Sequence, residues 1–380
     1  MKQVAKIIST YSADTFGVCS ALFELGGMSV IHDASGCNST YTTHDEPRWY
    51  DMDSMVFISA LSEMEAILGD DEKLIGDIVT AAEELRPRFI ALTGTPIPAM
   101  TGFDFEAVAR VIEGRTGIPT FGFAATGMHT YIRGASMAFA ALAERFVADT
   151  DRRQERTVNI LGLTPLDFSV NGTDKSIAAF LEGRGWQVLS RWAMGDSLES
   201  IARSGEARVN LVVSAAGLEA AKILERRFGT PFVVGVPYGN AWADTLGDAL
   251  ALTDELGLAM RPHSEASGGD IVIIGEGITS LSLASAIEME TGRGARVLCT
   301  TECDEACLRE KDQLCHWEDE ITAALQNAGV VIADPLFRPL CPDTARFVAL
   351  PAESFSGRIY RDLIPNLVTD FDRFLKEATL

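Results

Sequence analysis

Ile271-Val272-Ile273-Ile274-Gly275-Glu276-Gly277 decides how the rest of the chain is read. Four consecutive β-branched residues without polar alternation describe a strand covered on both faces, which requires a parallel sheet with helices on each side. The glycine-flanked turn that follows opens a helical pattern, as in a Rossmann unit. The third glycine of a dinucleotide loop is replaced by Ser280, and Glu276 would oppose a phosphate. The expectation is a Rossmann turn that holds no nucleotide.

Working outward, the same alternation of short apolar runs and helical stretches recurs along the chain. Strands are expected near 28–33, 55–59, 88–93 and 118–123, then 157–162, 187–190, 209–214 and 231–236, and finally 271–275, 295–299, 329–333 and 346–350. An internal echo supports the repeat: Glu106-Ala107 leads to Gly117-Ile118-Pro119, and Glu219-Ala220 leads to Gly229-Thr230-Pro231, each reading as helix, glycine stop, proline, strand. Charged connectors at Asp149–Arg156 and Arg261–Glu265 mark the junctions. The fold class is therefore α/β, three Rossmann-like doubly wound units with four-stranded, mainly parallel sheets, over residues 1–153, 154–262 and 263–380.

Composition narrows the function. The 380 residues carry a formal charge of −22, and no Lys/Arg-rich stripe offsets it, so nucleic acid is not an expected partner. No apolar run is long enough for a membrane helix, and the first residues lack a secretory pattern, so a cytoplasmic protein is expected. Seven cysteines in such a chain read as ligands, nucleophiles or core filler rather than as a disulfide framework.

Ligands of open parallel sheets sit at the carboxyl ends of strands, which makes the residues just after each strand the site candidates. After the first strand comes His32-Asp33-Ala34-Ser35-Gly36-Cys37-Asn38-Ser39-Thr40, a small-residue turn that lifts a thiol from the strand end. A helix starting there would lower the thiol pKa and favour the thiolate; the alternative is a buried, inert cysteine. The third strand ends in a second small-residue loop, Thr93-Gly94-Thr95-Pro96-Ile97-Pro98. His129 follows the fourth strand and is a candidate for lining a substrate cavity, while His32 and His44 flank Cys37 in exposed or capping roles.

The Gly36-Cys37 turn, the run from Met55-Val56-Phe57 to Leu68-Gly69-Asp70-Asp71-Glu72-Lys73-Leu74, and Thr93-Gly94-Thr95-Pro96 leading to Gly102-Phe103-Asp104 resemble the component 1 family in order and spacing. That family includes nitrogenase subunits, dark-operative protochlorophyllide reductase and the nickel-sirohydrochlorin reductive cyclase. The resemblance implies that Cys37, on its Gly36 turn, ligates an iron-sulfur cluster, of 4Fe-4S type, shared between two subunits. It further implies a homodimer or a heterodimer with a related subunit, electrons from a separate ATP-hydrolysing iron protein, and a substrate held among the three units. No Walker loop occurs in this chain, so ATP chemistry would belong to the partner.

The departures from the family are equally specific. Where nitrogenase subunits carry two further cluster cysteines, this chain has Tyr11-Ser12-Ala13-Asp14 and Thr95. Asp14 is the candidate oxygen ligand there, with Cys19 beyond it; a symmetric pair of Cys37 thiolates supplies only two of a cubane's four ligands. The loop matching the molybdenum-cofactor cysteine is Ser214-Ala215-Ala216-Gly217, and no histidine stands near Ser354-Phe355-Ser356-Gly357-Arg358. A dinitrogen-reducing enzyme is therefore not expected.

A separate group of thiols, Cys299, Cys303, Cys307 and Cys315, follows the second strand of the third unit. A helix over 303–307 would place two of them on one face, with Cys299 converging from the strand, as an iron or zinc site. Hydrophobic packing and reversible disulfide formation are the other readings. The leading functional expectation is an iron-sulfur-dependent reductase of the tetrapyrrole-reducing style, the alternatives being a carrier or assembly scaffold, and a metal-free binding protein.

Overall fold

The computed structural model describes residues 5–7, 10–41, 45–265 and 269–380. Three parallel sheets follow one another along the chain. The first contains β1 (Met28–Ile31), β2 (Met55–Ile58), β3 (Ile90–Thr93) and β4 (Thr120–Phe123), in the order β2-β1-β3-β4. The second repeats that order with β5 (Thr157–Leu161), β6 (Gln187–Arg191), β7 (Val209–Val212) and β8 (Phe232–Val234), arranged β6-β5-β7-β8. The third contains β9 (Ile271–Gly275), β10 (Ala295–Cys299), β11 (Gln313–Leu314), β12 (Val330–Ala333) and β13 (Arg346–Ala349), arranged β11-β10-β9-β12-β13. Every run expected as a strand forms one. The two-residue β11 is an addition, and gives the third sheet five strands instead of four.

The uninterrupted Val/Ile runs are buried along their length: every residue of β1, β3, β5, β7, β9 and β12 is inaccessible. Each sheet has a switch point where the connections change direction: between β1 and β3, between β5 and β7, and between β9 and β12. Crevices for ligands form at such points, outside the carboxyl ends of the strands.

The units share their cores. One apolar cluster joins Leu142 and Phe139 of the first unit to Leu224 and Val212 of the second, and another joins Leu181 and Trp242 of the second to Ile273 and Leu283 of the third. The chain ends also cross between units. Tyr11 and Ser12 donate backbone N–H groups to the carbonyls of Phe355 and Ser354, at 3.2 and 3.0 Å. Near the other end, Asn366 donates to Ser176 Oγ at 2.9 Å.

The helix Asp14–Leu22 lies across the helix Tyr131–Arg145 in backbone contact. A Cβ on Gly17 would stand 1.9 Å from the Tyr131 carbonyl oxygen, and one on Gly134 would stand 1.7 Å from that of Asp14. Only glycine permits that approach. Among the described residues, no helix is long and apolar enough to cross a membrane.

Candidate functional site

At the first switch point, Ile31 ends β1 and the chain turns through Ala34, Ser35 and Gly36, all exposed. Ser35 adopts φ 75°, a left-handed conformation that costs a non-glycine residue energy and so is held by its surroundings. A Cβ on Gly36 would meet nothing within 4 Å, so the turn opens to solvent. Cys37 begins a single 3-10 turn, Cys37–Ser39, in place of a full helix, and so short a turn supplies no macrodipole.

Two other expected residues gather at this edge. Thr95 is buried, with its hydroxyl 3.0 Å from the His32 carbonyl and 2.9 Å from Asp33 Oδ1. Asn38, one residue past Cys37, donates to Asp33 Oδ2 at 3.0 Å. The Thr15 hydroxyl donates to the Gly94 carbonyl at 2.5 Å, and so ties the start of the first helix to the β3 loop. Asp14 is buried beside it, its two oxygens accepting from the backbone N–H groups of Thr15, Thr126 and Gly127 at 2.9, 2.9 and 2.8 Å. Those bonds make Asp14 the clasp of the loop after β4.

His32 differs from the exposed or capping role expected of it. It is buried against Phe103, with ring centroids 4.5 Å apart, and its Nδ1 lies 2.8 Å from the Ser59 hydroxyl. Burial holds its pKa down to about 4 against the opposing pull of Asp33 and Glu65. His129 is half-buried: its Nδ1 lies 3.5 Å from Glu302 Oε1 of the third unit, and its Nε2 lies 3.0 Å from Arg133. His44 lies outside the described residues.

An apolar rim surrounds this edge. The helix Glu63–Leu68 buries none of its residues and exposes Met64, Ile67 and Leu68. The neighbouring helix Pro96–Thr101 exposes Ile97 and Met100, the latter 86 % accessible. Grouped exposed side chains of this size mark an interaction surface.

The second and third switch points open on a common cavity of about 90 Å³. Asp167, from the helix Pro165–Phe168 after β5, meets there Glu276 after β9, Asp334 after β12 and Ser354 after β13. The buried Tyr131 of the first unit donates its hydroxyl to Asp167 Oδ1, so all three units converge at this point. Glu276 accepts from Ile278 and Thr279 N–H at 3.1 and 2.8 Å, capping the helix Gly277–Thr291. Its carboxylate thereby occupies the place a phosphate would take, and it also accepts from Ala215 N–H of the second unit at 2.9 Å. Asp334 likewise caps its own turn, accepting from Leu336 and Ala352 N–H and from Ser356 Oγ at 2.8, 2.9 and 2.7 Å.

Enclosure by protein, together with the neighbouring Glu276, pushes the Asp167 carboxyl well above the usual range. Burial also raises Glu276 and Asp334, against the N–H groups that favour their charged forms. Sequence reasoning missed Asp167 and Tyr131, which lie in no motif. The strand-end rule applied to β5 would have selected Asp167.

The thiols following β10 do converge, by a different route from a helix. Residues 300–304 form an irregular loop, and only Glu305–Cys307 make a 3-10 turn. Cys303 lies within reach of both the Cys299 and Cys307 sulfurs. A Cβ on Gly277 would meet Cys303 Sγ at 2.5 Å and Cys299 Sγ at 3.3 Å. Cys315 is buried beside the same strand, where enclosure pushes its thiol up to about 11. No group of three or more His, Cys, Asp or Glu among the described residues is arranged to hold a metal ion.

Residues 14–322 match the family described as Nitrogenase component 1 type Oxidoreductase. The chain is 24% identical over 314 residues to the nitrogenase iron-molybdenum cofactor biosynthesis protein NifE of Rippkaea orientalis, covering 74% of this chain and 65% of that protein. It is 27% identical over 203 residues to NifE of Clostridium pasteurianum, covering 53% and 43%. It is 28% identical over 185 residues to one subunit of the light-independent protochlorophyllide reductase of Zygnema circumcarinatum, covering 45% and 35%. The matches thus span from about a third to just under two thirds of these relatives. Among solved structures, "Nitrogenase Cp1 at pH 6.5" superposes over 100% of this chain and 95% of its own with a TM-score of 0.69 at 15% identity, a likeness of fold. On the family match across most of its length, this chain belongs to the nitrogenase component 1 type oxidoreductases.

Proposed function

We propose that this chain is an iron-sulfur subunit of a nitrogenase-like reductase, in which Cys37 ligates a cluster, of 4Fe-4S type, shared with a second component 1 subunit. The observation that carries the reading is the Gly36-Cys37 turn, standing open at the first switch point beside the apolar rim of Met64, Ile67, Leu68, Ile97 and Met100. A residue on an open turn can be shared across an interface, and an apolar rim supports association. A second copy would bring the Cys37 thiolates to only two of a cubane's four ligands, so the others come from oxygen ligands or from a related subunit. Asp14 and Thr95 hold the loops on either side of the Cys37 turn.

When bound, the cluster supplies one-electron transfer at low potential. The chain's own part is to fix the turn through Asn38, Asp33 and Thr95, and to seat a substrate among the three units. Electrons would come from an ATP-hydrolysing iron protein of the kind that serves this family. The protochlorophyllide reductase relative makes a tetrapyrrole the first substrate class to try. A second reading, a scaffold on which a metallocluster is assembled, is favoured by the repeated similarity to NifE, named for cofactor biosynthesis.

Anaerobic purification with iron and sulfide analysis of wild type and Cys37→Ser tests the central claim. Loss of iron in the variant is expected, and unchanged iron content would sink the assignment. Adding an iron protein and ATP separates the two readings, since a reductase oxidises its cluster on substrate addition and a scaffold does not.

A further inference from the structure

We infer that Cys307 and Cys303 are a reversible dithiol switch: hydrogen peroxide oxidises Cys307, Cys303 closes a disulfide on it, and the loop carrying them loosens its hold on the first unit. This inference is independent of whether Cys37 holds a cluster.

Grouping is the first argument. The Cys303 sulfur is within reach of those of Cys299 and Cys307, and a Cβ on Gly277 would touch both Cys303 Sγ and Cys299 Sγ, at 2.5 and 3.3 Å. Residues 300–304 have neither helix nor strand to break, so Cys303 is free to travel the short way to a sulfur–sulfur bond of about 2.05 Å. Cys299 is the spectator: it ends β10 and donates its S–H to the Thr301 carbonyl at 3.4 Å.

Division of labour between the two sulfurs is the second argument. Arg261, in the connector from the second unit to the third, donates to Cys307 and places its guanidinium 5.2 Å from the Phe232 ring centroid. Asp304, which opposes that charge, is engaged by Lys222 Nζ at 3.1 Å and by the Ala306 N–H at 3.0 Å. The Cys307 pKa is lowered, first by the hydrogen bond from Cys303 and then by Arg261, against burial and Asp304. That of Cys303 is raised, by its bonds to Cys299 and Cys307 and by enclosure. One sulfur is thus set as the attacking thiolate and its neighbour as the resolving thiol.

Access selects the oxidant. Cys307 lines, with Arg261, His263 and Ser282, a cavity of about 10 Å³, room for about one water molecule. His263 is exposed at its edge. Hydrogen peroxide, little larger than water, suits this opening, and a bulky disulfide oxidant does not. The Cys307 thiolate attacks one peroxide oxygen, the O–O bond breaks, and hydroxide leaves and takes up the proton the thiol had released, as water. Cys303 then attacks the Cys307 sulfenic acid, the S–O bond breaks, and hydroxide leaves with the Cys303 proton as a second water. Two thiols are oxidised and one peroxide is reduced.

The residue before Cys303 carries the signal. Glu302 accepts from the Thr130 N–H at 3.2 Å and from the Thr130 hydroxyl, and so latches the third unit to the first. Cys307 is fixed in a 3-10 turn capped by Asp304 and packs in the core of the first two units, so Cys303 is the partner that moves, and Glu302 moves with it. Thr130 pairs with Ala13, next to Asp14, so the release reaches the clasp beside the Cys37 turn.

Peroxide in small excess over the reduced full chain, followed by mass spectrometry, tests this, since cleavage after Glu302 and Glu305 separates the three thiols. The expected product is a Cys303–Cys307 disulfide that dithiothreitol reverses, accompanied by faster amide exchange over residues 129–131. The same product in Cys37→Ser separates this site from the cluster assignment. Cys303→Ser should stop at a Cys307 sulfenic acid, labelled by dimedone, with exchange unchanged. Arg261→Gln should slow Cys307 oxidation about tenfold. Thiols that stay reduced, a Cys299–Cys303 link, oxidation by glutathione disulfide as fast as by peroxide, or a disulfide that leaves exchange unaltered would each overturn the inference. If Arg261→Gln does not fold, absence of dimedone label on Cys307 in Cys303→Ser overturns it instead.

Discussion

The hydroxyl of Tyr131 donates a hydrogen bond to the carboxyl of Asp167, and so joins the last helix of the first unit to the first helix of the second. Tyr131 is fully buried, so Tyr131→Phe removes a donor from an enclosed carboxyl and leaves the ring in place. A loss of about 1–3 kcal/mol is expected, read as a lower denaturant midpoint with unchanged slope.

Asp167 also gives stability a pH dependence of defined sign. Its folded pKa lies above the unfolded value of about 3.9, so its contribution is complete below that value and is lost as pH rises through the folded pKa. The stability of wild type relative to Asp167→Asn should therefore fall as pH rises above about 4. A difference that stays flat, or that grows with pH, in paired denaturant titrations would contradict this.

His32 acts in the opposite direction. Its folded pKa is depressed to about 4 by burial, so neutral His32 contributes stability that is present above about pH 6.5 and lost as pH falls toward 4. The shift corresponds to about 3 kcal/mol at most. His32→Asn, compared with wild type from pH 7.5 to 4.5, should flatten that part of the stability profile, and NMR of the imidazole should show no titration near pH 6.5.

The backbone contact between Gly134 and Asp14 leaves no room for a methyl group. Gly134→Ala should cost about 3 kcal/mol or more, at the upper end of overpacking, because backbone and not a flexible side chain is in the way. Gly114→Ala serves as the control. Its added Cβ meets nothing within 4 Å, and it should be neutral or slightly stabilising in the same thermal scan.

Arg48 is buried, with Nε 2.6 Å from Glu46 and Nη1 2.9 Å from Glu24. It also donates to the carbonyls of Ser20 and, in the second unit, Ala193, at 2.8 and 2.6 Å. Arg48→Ala leaves two carboxylates enclosed without their cation, and should lower stability by about 3–5 kcal/mol. Adding Glu46→Gln to that variant should restore part of the loss in a double-mutant cycle.

These contacts show what kind of information the sequence holds. The run Ile271–Gly275 was readable because burial on both faces leaves no polar alternation, and the strand-end rule then led to Cys37 and Thr95. Gln313-Leu314 was unreadable because two residues carry no period. Asp14 could be placed near the Cys37 turn, but its N–H donors, Thr126 and Gly127, lie more than a hundred residues away, and no local pattern announces such a clasp. Helical spacing suggested that Cys303 and Cys307 would meet, yet they approach through an irregular loop that propensity does not describe. Tyr131 and Asp167 are ordinary residues in ordinary segments, and only the docking of one unit on another gives them a role.

The crossing of the chain ends between units has a consequence for synthesis. Leu367, Phe371 and Phe374 belong to the same apolar cluster as Val158, Ile160 and Ile177, and a Cβ on Gly239 would lie 2.9 Å from the Phe371 ring. The second unit is therefore translated in full well before its own core can close. Until the segment around residue 374 emerges from the ribosome, that apolar face of the nascent chain stays uncovered and prone to stick elsewhere.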